Sequence, residues 1–389
     1  MTVDRPHAGP LVGVHVVELG GIGPAPYACM LLSDLGAHVT RVDRLEPDVL
    51  AGAGDPRYDF LLRGRERIAL DLKSQHGREI VLRLVAGADV LVEGFRPGVA
   101  EKLGIGPEEC LRLNARLVYG RMTGWGQTGP LASTAGHDIN YIALSGALHA
   151  IGPHAGPPVV PLNLLGDFGG GAVFLVVGVL AALLESHRSG RGQIVDAAMI
   201  DGAVSLMTAI YAAFASGFWR DARGSNLLDG GAPFYSVYET ADGKYVAVGA
   251  IEPKFFAQLI AKLGLDAPML PAQFDSARWP DLRAALASVF RRKTRDEWCA
   301  IFEGSDSCFA PVLSLAEAQQ HDHLRMRGVF TSIAGVDQPA AVPKLSRTPA
   351  AVARPGVPVG FDTTSVLERL GYTIAEISEL RARGVVGGS

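Results

Sequence analysis

The alternation of apolar and polar positions predicts a strand, turn, helix and strand near the start of the chain. Val12 to Leu19 is a short β-branched apolar run, and a glycine-rich turn follows it. The next stretch, ACMLLSDLG, has helical spacing, and HVTRVD after it has the composition of a second strand. Because the same alternation recurs through ADVLVEG and RLVYGRM, we expect a parallel sheet flanked by helices, a doubly wound α/β fold.

The pattern changes in the second half of the chain. FYSVYETADGKYVAVGA consists of two alternating runs joined by Ala-Asp-Gly, which predicts a β-hairpin. A proline-rich arm at 339–358 and a helical stretch at 364–383 follow, and we expect the latter to pack back on the first domain. We therefore predict four segments: a large domain at 1–200, a linker helix at 201–228, a small α+β domain at 229–325, and a return arm with the C-terminal part of the large domain at 326–389.

Charge and cysteine spacing exclude several classes of function. The formal net charge of −4 and a pI near 6.2 provide no overall positive field for a nucleic acid. The four cysteines are widely spaced, without a CxxC pair or a His/Cys cluster at metal-ligand spacing. We predict no nucleic-acid partner and no metal site.

No targeting or membrane segment is expected. The sequence begins without a basic segment, an apolar run and a small-residue cleavage site, so it does not resemble a secretory signal. The most apolar stretch, 172–184, is shorter than the roughly 18 residues that cross a bilayer and indicates a buried helix. We expect no membrane span and a cytoplasmic protein.

The glycine-rich turn after the first strand resembles a dinucleotide fingerprint only in part. Its three glycines, with Asp43 downstream, have the approximate spacing of such a site. Pro24 and Pro26, however, occupy positions that should offer backbone N–H groups to a pyrophosphate. The turn therefore argues against a redox dinucleotide.

Basic residues follow several of the predicted strands. Arg41 and Arg44 bracket the end of the second strand, Lys73 follows the third, and Arg96 lies in the loop EGFRPG. Ligands of parallel sheets bind at this carboxyl edge. Each of the four is consistent with a solvated surface charge, but together they are able to hold the phosphates of an adenine nucleotide.

Five residues are candidates for acid–base chemistry or its support. His137, Asp138 and Tyr141 lie at a predicted loop-to-helix transition in AGHDINY, where Asp138 is also suited to cap the helix. Asp167 begins the apolar helix in LLGDFGGG, as an N-cap or as a catalytic carboxylate whose neighbouring backbone N–H groups stabilise an oxyanion. Glu252 ends a strand, where it either faces solvent or orients an imidazole.

Taken in order, several motifs carry a family resemblance. The chain resembles the α-methylacyl-CoA racemases of the family III CoA-transferase fold, from about residue 11 to residue 310. The matching segments are VVELGGIGPAPYACMLLSDLGA, LVEGFRPGV, EKLGIGPEEC, RMTGWGQTGP, AGHDINY, LLGDFGGG, SGRGQIVDAAMIDG, LLDGGAPFY and AIEPKF.

This resemblance implies an interlocked homodimer. Each protomer has a Rossmann-like CoA-binding large domain and a small α+β domain, and the active site lies between the large domain of one subunit and the small domain of the other. The substrate is an acyl-CoA, with the CoA moiety as part of the substrate, and neither a metal nor a separate cofactor is implied.

The resemblance also assigns roles to individual residues. His137 matches the catalytic histidine, Asp167 the catalytic aspartate, and Glu252 the glutamate that supports the histidine from the partner subunit. We group Asp138 with these catalytic candidates because it adjoins His137. The positions associated with CoA binding are Arg44, Lys73, Arg96 and Tyr141, together with Arg41.

The residue types suit the inversion of a stereocentre through a planar enolate. One group removes the α-proton and a second, on the opposite face, returns it, which are the tasks of His137 and Asp167. The main alternative is a CoA-transferase in which Asp167 attacks the thioester and forms an anhydride. The histidine favours the racemase, because the transferase does not require it; a catalytically silent acyl-CoA-binding protein is a further alternative.

Overall fold

The computed structural model describes residues 8–46 and 54–388, which form two compact units. The large unit takes the described residues up to Ser145, residues Leu162–Leu206 and those from His323 onward. The small unit takes Gly146–Pro161 and Met207–Asp322. The chain therefore leaves the large unit twice and returns to it twice.

Twelve strands lie in the described residues. They are β1 (His15–Leu19), β2 (His38–Asp43), β3 (Arg65–Leu70), β4 (Val90–Glu93), β5 (Val118–Thr123), β6 (Ile194–Ala198), β7 (Tyr235–Glu239), β8 (Tyr245–Gly249), β9 (Phe309–Pro311), β10 (Phe330–Ile333), β11 (Val336–Pro339) and β12 (Val386–Gly387).

Sixteen α-helices lie in the same residues. They are α1 (Pro24–Asp34), α2 (Gln75–Ala86), α3 (Val99–Lys102), α4 (Pro107–Leu113), α5 (Asp138–Leu144), α6 (Ala147–Ala150), α7 (Phe174–Ser189), α8 (Met199–Leu206), α9 (Thr208–Ala215), α10 (Pro253–Lys262), α11 (Trp279–Phe290), α12 (Arg295–Phe302), α13 (Leu315–Gln320), α14 (Asp322–Met326), α15 (Thr363–Arg369) and α16 (Ile374–Ala382).

The seven-stranded sheet of the large unit has the order β12-β3-β2-β1-β4-β5-β6. All neighbours are parallel except β12, which pairs antiparallel with β3. The predicted α/β class is therefore confirmed, and six of the strands follow the Rossmann order. Strand order reverses between β1 and β4, and ligands of open α/β sheets bind outside the carboxyl ends of strands at such a point.

Successive residues of the central strands point to opposite faces of the sheet, and both faces are covered. On one face Val16 packs with Leu32 of α1 and Val179 of α7. On the other, Val17 packs with Ile80 of α2 and Leu367 of α15. The C-terminal helices α15 and α16 thus contribute Leu367 and Ile377 to the core of the large unit.

The apolar helix before β6 is longer than the sequence pattern predicts. A π-helical segment, Leu164–Val173, runs directly into α7, so that the apolar helix spans Leu164–Ser189 and begins three residues before Asp167, where the sequence pattern predicts its start. It is the one helix in the described part of the chain with the length and hydropathy of a membrane span. Leu175 and Val179 are nonetheless fully buried against the sheet, which is the placement of a core helix.

The small unit contains the predicted hairpin. Strands β7 and β8 pair antiparallel, and β9 extends them to a three-stranded sheet. Phe234, Phe290 and Trp298 are buried in the core between this sheet and the neighbouring helices. The α+β character predicted for this part of the chain is confirmed.

The units divide the chain differently from the predicted domains. Residues 146–161 belong to the small unit, because the Arg223 guanidinium donates to three backbone carbonyls in that segment, those of His149, Pro153 and Gly156, at 2.7 to 3.3 Å. The predicted linker helix is broken: α8 belongs to the large unit and α9 to the small unit. The hairpin of β10 and β11 was not predicted.

Candidate active site

Asp167 lies in the π-helical segment, which contains the glycines of LLGDFGGG. A Cβ atom at Gly169, Gly170 or Gly171 would lie 3.0 to 3.2 Å from the carbonyl oxygen five residues earlier. A larger residue there would displace its neighbours, and π-helical turns recur at functional sites. Asp167 follows Leu165 by two residues in this segment, and its side chain is half-buried.

The Asp138 side chain fastens the start of this segment. Its Oδ1 accepts hydrogen bonds from the backbone N–H groups of Gly166, at 2.6 Å, and Asp167, at 2.7 Å. A Cβ atom at Gly166 would lie 2.7 Å from the same oxygen, so glycine is required for this approach. Asp138 is buried, and its role in the structure is to position Asp167.

These hydrogen bonds bear on the oxyanion prediction. The glycine-rich helix start after Asp167 is predicted to offer backbone N–H groups to a developing negative charge, and that prediction stands untested. The N–H groups of Gly166 and of Asp167 itself are paired with Asp138. A donor that is already engaged by a carboxylate does not serve a substrate oxygen, so these two groups are not oxyanion donors.

His137 is the N-cap of α5 and is held by Asn140. The His137 backbone N–H donates to the Asn140 side-chain oxygen at 3.0 Å, and the Asn140 backbone N–H donates to the His137 backbone carbonyl at 2.8 Å. The His137 residue is exposed to solvent.

Asp167 and His137 interact electrostatically. Burial raises the pKa of the Asp167 carboxyl, the Asn163 amide lowers it through a hydrogen bond to Oδ2 at 3.3 Å, the Asp138 charge raises it and His137 lowers it. The net effect is a pKa above the ordinary value for aspartate. A carboxyl of this kind exchanges protons closer to neutral pH, as acid–base catalysis requires.

The glycine-rich turn after β1 forms a wall beside Asp167. Gly23 has a φ of 72°, in the left-handed region, and a Cβ atom there would lie 3.4 Å from Asp167 Oδ2. The rings of Tyr27 and Phe168 pack beside it with centroids 4.6 Å apart. The turn therefore contributes to the surroundings of Asp167, which the comparison with a dinucleotide fingerprint did not reveal.

Tyr141 is a buried residue of α5 close enough to Asp167 to interact with its charge. Its ring packs edge-on against Trp125 at a centroid distance of 4.7 Å. Burial raises the pKa of Tyr141 to about 12; the Asp167 charge adds to the rise and Arg96 opposes it. The structure thus brings Tyr141 within electrostatic reach of both Asp167 and Arg96.

Three of the predicted CoA-binding cations are exposed where strands of the parallel sheet end. Arg44 follows β2, Lys73 follows β3 and Arg96 follows β4. Arg41 differs, because it is buried and its guanidinium contacts Glu18, Asp43 and the Gly21 carbonyl. This placement does not support the prediction that Arg41 binds CoA.

Glu252 belongs to the small unit. It precedes α10 as the N-cap residue, but its carboxylate makes no capping hydrogen bond, and the side chain is exposed. Its charge raises the pKa of the Cys308 thiol, an effect second to that of burial.

Sequence reasoning missed the residues that build the surroundings of Asp167. Asn163 and Gly166 lie within four residues of it, and a search for polar or glycine neighbours in LNLLGD would have found them.

The fold and these residues define a class: an α/β protein whose large unit carries Asp167, His137 and basic residues at the ends of parallel strands. The chain belongs to CoA-transferase family III, whose family model matches residues 11–363. It is similar to α-methylacyl-CoA racemase of Mus musculus, with 47% identity over 378 residues, and to that of Homo sapiens, with 44% identity over 380 residues. In both cases 97% of this chain and 97% of the relative are covered.

A solved structure has the same fold. The crystal structure of a CAIB/BAIF family protein from Brucella suis matches with a TM-score of 0.82 and 25% identity, and the match covers 93% of this chain and 100% of that one. Because the match covers 93% of this chain, the similarity is not confined to the seven-stranded sheet of the large unit.

Proposed function

We propose that this enzyme is a racemase that interconverts (R)- and (S)-2-methylacyl-CoA thioesters. The observation that carries the proposal is the placement of Asp167, whose pKa is raised, in electrostatic contact with His137. The racemase relatives support it, because they match at 44–47% identity over nearly the whole chain.

The reaction is a 1,1-proton transfer. One of the two groups, as a base, removes the α-proton and the electron pair of the C–H bond moves into the thioester to give an enolate. The other group, as an acid, delivers a proton to the opposite face, and the enolate returns to the thioester. With the His137 ring and the Asp167 carboxyl in complementary protonation states, the same pair serves both directions.

In this proposal the CoA moiety is bound at the carboxyl edge of the sheet. Arg44, Lys73 and Arg96 contact its phosphates and Tyr141 packs close to the thioester end, whereas Arg41 has no part in binding. Proton transfer of this kind needs no redox group, so we propose that no cofactor beyond the substrate's own CoA is used.

We further propose a cytoplasmic homodimer with shared active sites. Glu252 of each subunit then supports His137 of the other. Exposed apolar side chains favour burial against a second copy; they include Val177 and Leu184 on α7, Phe214 on α9 and Phe218 after α9.

Incubation with (S)-2-methylacyl-CoA in deuterated water tests the function. We expect deuterium at the α-carbon and loss of optical purity. Asp167→Asn should slow exchange by about 10²-fold to 10⁴-fold, since it removes one acid–base group. Asp266→Asn, a change at an exposed aspartate of the small unit, is the matched control.

The same experiment distinguishes the transferase. If configuration stays fixed while an added free carboxylic acid receives the CoA, Asp167 acts as a nucleophile and the racemase proposal is wrong.

A further inference from the structure

Glu18 is a carboxylate in the core of the large unit that the proposed reaction does not use. It lies in β1 with no solvent exposure and contacts two arginines. Oε1 accepts from Arg41, and Oε2 accepts from Arg65 Nε at 2.9 Å. A buried ion cluster is costly unless its geometry is good and its hydrogen bonds are satisfied, so the remaining donors of both arginines are informative.

Those donors reach both ends of residues 20–26, which comprise the glycine-rich turn and the first residues of α1. Arg41 Nη2 donates to the Gly21 carbonyl at 2.9 Å, and Arg65 Nη2 donates to the Pro26 carbonyl. Glu18 thus fixes two guanidinium groups, and each guanidinium fixes one side of the turn.

Gly23 lies between the two fixed carbonyls and faces the catalytic carboxyl. Its left-handed φ of 72° is a conformation that the turn must hold, and its Cβ direction points to Asp167 Oδ2 at 3.4 Å. A turn held at this distance excludes water from one side of Asp167. A turn that moved away would admit it.

We infer that Glu18 is a positioning residue for Asp167: through Arg41 and Arg65 it holds the glycine-rich turn, residues 20–26, against the catalytic carboxyl. The inference rests on the proposed racemase function for its effect on rate. Its effect on Asp167 itself is independent of that function.

The direction of the effect on Asp167 follows from its surroundings. The titratable groups that face its carboxyl are His137 and Asp138, with Tyr141 beneath, and all three lie on or next to α5. Among these influences, burial is the largest and raises the pKa. Water admitted by a loosened turn weakens that effect, so the pKa of Asp167 falls.

The chain offers a matched control. Asp34 and Arg63 form another buried ion pair, with Oδ2 and Nη2 2.5 Å apart, at the opposite end of α1. Arg63 donates onward to Gln338 and to the Pro339 carbonyl, not to the turn. Glu18→Gln and Asp34→Asn therefore remove comparable buried charges, but only the first releases the turn.

The experiment compares these variants by steady-state racemisation and by an NMR titration of the ¹³C-labelled Asp167 carboxyl without substrate. For Glu18→Gln we expect kcat to fall about tenfold or more with KM within about twofold, and the Asp167 titration to move to lower pH. For Asp34→Asn we expect kcat within about twofold of the unaltered enzyme and an unchanged titration.

Equal kcat values and equal Asp167 titrations in the two variants would overturn the inference. If the unaltered enzyme shows no α-proton exchange, the proposed function fails, and the titration alone decides the role of Glu18. If Glu18→Gln does not fold, Arg41→Lys replaces it, because lysine keeps the charge opposite Glu18 but lacks the fork that reaches Gly21.

Discussion

Asp138 and Asp167 are joined by a hydrogen bond of 2.7 Å from the backbone N–H of Asp167 to Asp138 Oδ1. The same carboxylate raises the pKa of the Asp167 carboxyl through its charge, as a smaller effect than burial. Its other oxygen, Oδ2, is buried and has no hydrogen-bond partner within the described part of the chain. One side chain therefore fixes the backbone position of Asp167 and modifies the acidity of its carboxyl.

The two effects of Asp138 are separable by substitution. Asp138→Ala leaves the N–H groups of Gly166 and Asp167 without an acceptor, so we expect the free energy of unfolding to fall by about 2–6 kcal/mol. Asp138→Asn keeps an acceptor oxygen and removes the charge, so the loss should be smaller and the pKa of Asp167 should fall. Urea denaturation measures the first effect and the pH dependence of kcat/KM the second. An equal stability loss in both variants would contradict the assigned hydrogen bonds.

Gly166→Ala tests the close approach of Asp138 to the π-helical segment. The new Cβ atom would lie 2.7 Å from Asp138 Oδ1, so the segment must shift and carry Asp167 with it. We expect racemisation to fall about 100-fold, as measured by the loss of optical purity. Gly87→Ala is the control, since the nearest atom to its Cβ is at 4.0 Å, and it should retain full activity.

Glu66 makes stability depend on pH. Burial opposes its ionisation, but His38, at 2.8 Å, and Arg369 outweigh that effect and lower the pKa to about 2. A carboxyl with a depressed folded-state pKa stabilises above its unfolded-state pKa and loses that contribution as pH falls toward 2. Glu66→Gln should therefore reduce the free energy of unfolding by about 1–3 kcal/mol at pH 7 and by much less near pH ~2, measured by urea denaturation. A loss of the same size at both pH values would show that the charge is not responsible.

Shared active sites are testable with mixed dimers. His137→Gln and Glu252→Gln are each expected to be nearly inactive. When the two variants are co-expressed, each hybrid dimer should have one site with both native residues and one site with neither. If half of the dimers are hybrid, about a quarter of all sites are native, and about a quarter of the native activity should return. If both residues act within one subunit, no hybrid site is complete and activity does not return. Differently tagged subunits allow the hybrid to be purified and assayed alone.

Much of the fold follows from local patterns in the sequence. The β-branched run before Leu19 predicts a strand of the parallel sheet, because a strand buried on both faces is a continuous apolar run. The alternating runs around Asp242 predict the hairpin, because a strand buried on one face alternates apolar and polar residues. The attachment of residues 146–161 to the small unit was missed. It depends on Arg223, more than 60 residues away, whose backbone acceptors carry no sequence signal.

In the candidate site, too, some residues follow from local sequence motifs and others depend on contacts that form only in the folded protein. His137 and Asp167 were selected through motifs, and their roles remain predictions that the proposed experiments test. The sequence predicts Arg41 among the CoA ligands because it lies near the carboxyl end of a strand, where a cation is expected to be exposed and available to a ligand. The structure buries it, since Glu18 and Asp43 on neighbouring positions supply its counter-charges, and this arrangement arises only when the strands are assembled.

The pairing of β12 with β3 has a consequence for biosynthesis. Gly387 and Val386 complete a sheet whose first strand begins at His15, so that sheet gains its last strand only after residues 15–387 have been synthesised. The small unit is complete once Asp322 has emerged. The small unit, whose synthesis begins after that of the large unit, is thus the first that is able to finish folding. Strands β1 to β6 of the large unit remain in a sheet without β12 until synthesis reaches Gly387.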